Sequence, residues 1–85
     1  MDTRADTIRD RVLRLVRQSP FQPFVLGLEN GQQVQIDHPE NIAFDPASNG
    51  SRGSPYFHVV AGDLMVISTF EAVTTVVLVD ARSRD

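Results

Sequence analysis

The 85-residue chain is 41% hydrophobic and 22% charged, enough for one small domain with a limited core and too apolar for a disordered segment. With no cysteine, it can hold neither a disulfide framework nor a thiolate metal centre. The formal charge of −3 is unevenly spread: residues 1–23 carry five arginines against three aspartates, and residues 24–85 carry three arginines against eight carboxylates. An acidic body of this kind disfavours nucleic acid as a partner. No apolar run approaches the roughly 20 residues that span a bilayer. The opening MDTRADTIRD lacks the basic-then-apolar order of a signal peptide. The expectation is a cytoplasmic protein with no membrane contact.

Residues 3–18 have a helical period. Ile8, Val12, Leu15 and Val16 fall at i, i+4, i+7 and i+8, with arginine and aspartate on the other face. Asp2 or Thr3 suits the N-cap, and Ser19-Pro20 ends the helix. Phe21 and Phe24 then sit in an extended SPFQPF segment, placed to pin the helix onto a sheet.

Strands are expected over 24–29 and over 32–38, the second resuming at 42–44 after Pro39, which cannot donate to a ladder. The turn between them decides the register. A two-residue Asn30-Gly31 loop would set leucines against glutamines. A three-residue loop, Glu29-Asn30-Gly31, with glycine as a left-handed bulge, sets Leu26 against Val34 and Phe24 against Ile36. Only the second gathers one apolar face, so the bulged hairpin is predicted.

Asp45 to Pro55 is rich in serine, glycine and proline and reads as a mobile, dispensable loop. Strands over 56–60 and 64–68 flank an Ala61-Gly62-Asp63 turn, and Thr69 to Ala72 forms a break or single helical turn. The last strand, 73–79, is β-branched at six of its seven positions, and the polar tail 80–85 is expected to fray. The predicted fold class is therefore mainly β, within α+β. An N-terminal amphipathic helix precedes a strongly bent five-stranded antiparallel sheet or small barrel in a single domain, 1–85.

VLGLENGQQVQI resembles the opening of an Sm motif, and MVISTFEAVTTVVLV resembles its close. This resemblance to Sm-like proteins implies a small barrel and RNA binding. Gln35 and Ile36 stand where the second Sm strand would have its glycine, and the basic-histidine pair of the bacterial RNA chaperones is missing. A second resemblance rests on Phe21, Phe24, Asn30, Gly31, His38, Pro39 and Glu40. These match a set of short uncharacterised bacterial proteins with Pro-Phe-x-Pro-Phe, an Asp/Asn-Gly turn and His-Pro-Glu. That resemblance implies no activity.

His38, beside Asp37 and Glu40, is the densest polar cluster, and with His58 or Asp45 it has the residue types of a metal or acid–base site. The spacing matches no known ligand set, and residues 37 and 38 of a strand point to opposite faces. No nucleophile motif or phosphate-binding loop is present. The expectation is a protein without catalytic residues, metal or cofactor, in which His38, Glu40, Tyr56 and His58 are candidates for contact with a ligand or partner. The final strand reads as apolar on both faces, Val73, Val77 and Val79 on one and Val76 and Leu78 on the other. An uncharged edge of that kind invites pairing. Val73, Val76, Val77 and Leu78, or residues 65–67 beside them, are therefore the candidate interface of a homo-oligomer. The function so predicted is a small interaction or assembly module with an unidentified protein partner. RNA binding, implied by the Sm-like resemblance, is the alternative.

Overall fold

The computed structural model describes residues 4–79. Helix α1 spans Arg4–Arg17, followed by strands β1 (Phe24–Leu28), β2 (Gln33–Ile36), β3 (Ile42–Ala43), β4 (Tyr56–Ala61), β5 (Leu64–Thr69) and β6 (Val73–Leu78). Two three-residue 3-10 turns interrupt the strands: η1 at Pro39–Asn41 and η2 at Phe70–Ala72. The chain is α+β, with an N-terminal helix and antiparallel sheets as predicted. The expected single five-stranded sheet is not formed. The strands make two three-stranded sheets, ordered β2-β1-β6 and β3-β4-β5. The reason is local: η1 takes Pro39 to Asn41 out of the ladder, so the halves of the second predicted strand join different sheets.

The hairpin has the predicted register, with Leu26 opposite Val34 and Phe24 opposite Ile36. The Gly31 amide donates to the Leu28 carbonyl at 2.9 Å, the Leu28 amide donates to the Gln32 carbonyl across the bulge at 2.8 Å, and Gly31 has φ 90°. Asn30 fastens the turn by accepting the Gln32 amide on its side-chain oxygen at 2.8 Å.

A second bulge changes the reading of β6. Leu28 pairs with Val73 but Gly27 pairs with Thr75, so Thr74 is the extra residue. Its hydroxyl donates to the Gly27 carbonyl at 3.2 Å. The bulge turns Val73 inward, onto the side of Val76 and not that of Val77, and Val73 is wholly buried. Val73 is thus removed from the candidate interface, of which Val77 and Leu78 are exposed and Val76 is half-buried.

The inner faces of both sheets close on Phe24, Leu26, Ile36, Phe57 and Val59, with Val12 of the helix and Phe70 of η2 completing the core. Phe70 meets Phe57 and Phe44 at ring-centroid separations of 5.0 and 5.1 Å.

Two arginines of α1, one exposed and one buried, are fastened to the rest of the fold. Arg4 donates to the carbonyls of Glu71 and Val73, tying the helix to η2. Arg9 is 3% exposed and sits 5.9 Å from the Phe70 ring centre. It pairs with Asp6 at 2.5 Å and donates to the carbonyls of Arg52 and Ser54. Arg52 closes the arrangement on Asp6 at 2.8 Å. The segment 45–55, expected to be mobile and dispensable, is therefore strapped to the helix. A side chain at Gly53 (φ 90°) would lie 2.7 Å from the Arg9 Nε and 2.8 Å from the Ala47 amide, so the strap closes over glycine alone.

Two stability measurements check this account. Gly31→Val should lose at least about 1 kcal/mol in denaturant unfolding, because valine is strained at positive φ. Arg9→Leu should lose at least about 2 kcal/mol, since it removes the partner of Asp6 and of two part-buried carbonyls. It should also make the 45–55 segment cleavable by protease under native conditions.

Candidate interaction surface

Alternation along β4 and β5 sorts their side chains. Phe57, Val59 and Val66 enter the core, while Tyr56, His58, Val60, Met65 and Ile67 face outward. The register sets Ala43, His58 and Ile67 in one row and Val60 and Met65 in the next. The outer face of this sheet is therefore apolar where a solvated face is normally polar. Met65 is 68% and Ile67 63% exposed. Ala43, His58, Val60, Met65 and Ile67 line a shallow dish of about 380 Å³. An adjoining recess of about 160 Å³ is lined by Ala43, Phe44, Asp45, Ser54, Tyr56 and His58.

The recess is shaped by the strapped segment. The Ser54 hydroxyl donates to the Tyr56 carbonyl at 2.8 Å and accepts the Asp45 amide at 3.1 Å, bringing Asp45 beside the first residues of β4. At the other end of the dish, Asn41 braces η1. Its side-chain oxygen accepts the His38 amide at 3.0 Å and its side-chain nitrogen donates to the Val60 carbonyl at 3.2 Å. Asn41, one 3-10 turn after His38, thus ties this corner to β4.

Of the predicted contact residues, Tyr56 and His58 come together, with ring centroids 6.2 Å apart on the outer face. His38 and Glu40 are exposed on η1, separate from that pair. Asp37 is engaged by the Gln35 amide at 2.7 Å. Among the described residues, no three His, Cys, Asp or Glu side chains gather as metal ligands. A hollow of about 300 Å³ at the helix–strap seam is lined by Ala5, Asp6, Arg9, Arg52, Gly53 and Pro55. Its carboxylate, Asp6, is already held by both arginines.

β5 and β6 each end their sheet, so each has one open edge of six residues, and neither edge carries a charge or a proline. On β6, Val77 is 55% and Leu78 46% exposed. Met65 and Ile67 of β5 lay in the predicted strand, but the outer-face dish was missed. Its signal was present in the outward positions of two adjacent strands read together.

Comparison with family models, with curated proteins and with solved structures finds no match. No helix among the described residues is long and apolar enough to cross a membrane.

Asn41→Ala removes both bonds of the corner brace. It should lower stability by about 1–2 kcal/mol in chemical unfolding and speed amide exchange at His38 and in β3.

Proposed function

We propose that the protein is a small, non-catalytic assembly module that self-associates by pairing the β5 edge of one copy with the β6 edge of the next. The observation that carries this reading is the pair of open, uncharged edges, Leu64–Thr69 and Val73–Leu78, equal in length and separated by only the three residues of η2. An antiparallel register that sets Leu64 against Leu78 also sets Met65 against Val77 and Val66 against Val76. Core-side residues then meet core-side residues, outward residues meet outward ones, and the exposed flanks of Leu78 and Met65 are covered. Edge-to-edge pairing of this kind is head-to-tail, so it closes into a ring or continues as a filament.

The order of elements is consistent with a Sm-like arrangement: a helix, a strand broken by η1, and a 3-10 turn before the last strand, with β1 between β2 and β6. On that arrangement RNA binding is the second reading, favoured by the exposed Tyr56–His58 pair and opposed by the charge of −3. Salt-sensitive retention on poly-U at low ionic strength would support it.

Light scattering at micromolar concentration tests the assembly. The expected result is a multiple of the 9.4 kDa chain mass that Val77→Lys reduces to the monomer. A stable wild-type monomer overturns the reading.

A further inference from the structure

The edges leave the outer face of the β3-β4-β5 sheet unused, because pairing extends the sheet sideways without covering it. That face is apolar at its centre: Val60, Met65 and Ile67 are all more than half exposed around the dish of about 380 Å³. A volume of that size admits two or three aliphatic side chains, not a folded domain.

The charges around it have one sign. The turn joining β4 to β5 carries Asp63, directly between Val60 and Met65 in the chain. η1, which carries Glu40, is fastened to the Val60 carbonyl by Asn41. At the opposite end Asp45 lines the recess that continues from the dish past His58 and Tyr56. All three carboxylates are on exposed residues, and none is in an ion pair among the described residues. The only arginine between residues 24 and 79 is Arg52, and it is engaged with Asp6 on the helix side. The dish is thus an apolar hollow with carboxylates at both ends, about five strand residues apart, or roughly 15 Å.

We propose that this face binds a short peptide segment in which aliphatic side chains are flanked by arginine or lysine. The aliphatic groups fill the dish, and the basic groups reach Asp45 at one end and Glu40 and Asp63 at the other. Charge complementarity sets the direction of selection. An acidic segment is repelled from both ends, and a basic segment without aliphatic groups leaves the hollow wet. A second copy of this chain stacked on the same face would bring like charges together, which argues against that occupant.

The probe is a fluorescently labelled ten-residue peptide of alternating leucine and arginine, followed by anisotropy at physiological salt. Two control peptides replace arginine by glutamate or leucine by serine. The leucine–arginine peptide should bind at least tenfold more tightly than either control. Val60→Lys should weaken it at least tenfold. A double variant, Glu40→Gln with Asp63→Asn, should weaken it severalfold and flatten its salt dependence. Val60 lies on the central strand of its sheet, so Val60→Lys leaves both open edges intact. Its oligomer mass should equal that of the wild type, which separates failure of this proposal from failure of the edge-pairing reading. Far-ultraviolet circular dichroism confirms that the variants are folded. Equal binding of the serine control overturns the proposal, as does a Val60→Lys affinity within twofold of wild type. Binding of poly-U at this face in place of the peptide also overturns it.

Discussion

The burial of Phe70 is the constraint on which the rest of the structure depends. It stands in η2, between the last strand of one sheet and the last strand of the other, and it is wholly buried. Phe57 reaches it from β4, Phe44 from the end of β3, and Arg9 from the helix. The Phe70 amide is held by the Pro55 carbonyl at 3.0 Å, at the exit of the strapped segment. Phe70 therefore joins the helix, the β3-β4-β5 sheet and the 45–55 segment at the point where the chain crosses to the other sheet. A side chain in that position contributes about 3–5 kcal/mol, a large share of what an 85-residue domain has to lose. Arg9 is the polar counterpart. It is buried only because Asp6 and two carbonyls satisfy its guanidinium terminus, while Nε, pressed against Gly53, is without a hydrogen-bond partner.

The same corner explains why the edges are open. A turn of three residues directs the chain from one sheet to the other with no ladder bond between β5 and β6. Phe70 itself is buried in the core. Apart from the Val73 carbonyl, which accepts from Arg4, the outer N–H and C=O groups of the two strands are left for water or for another chain.

Legibility followed how local the determinants were. The hairpin could be read because one glycine and one alternation pattern fixed both turn and register within 13 residues, Phe24 to Ile36. The break at Pro39 was equally local; its effect, placing β2 and β3 in different sheets, was not. The place of Val73 was hidden because a bulge at Thr74 shifts the alternation and depends on the partner strand. Arg9 was read as a solvated charge although it shares a helical stripe with Ala5, Val12 and Val16, at i+4, i+7 and i+11 from Ala5. That spacing was the available signal. What could not be read was the long-range partner: carbonyls of Arg52 and Ser54, more than 40 residues away, in a segment whose composition looks unstructured.

Of the candidate surface, the sequence disclosed single residues and the fold disclosed their adjacency. Tyr56 and His58 alternate on one strand and were legible as neighbours; Met65 and Ile67 joined them only through the β4–β5 register. Burying an aliphatic side chain yields about 1.5–3 kcal/mol, and this small chain leaves that gain untaken at Val60, Met65, Ile67 and Val77, while Gln33, Gln35 and Thr75 hold outer positions of the other sheet. Random exposure would scatter such residues; here they adjoin one dish and two open edges. The carboxylates around the dish limit what can use it. Copies that stack face to face oppose Glu40, Asp45 and Asp63 to their own images, whereas copies that pair by their edges meet along strands without charge. The distribution of charge thus supports the proposed division between the two surfaces, self-association at the edges and a partner of opposite sign on the face.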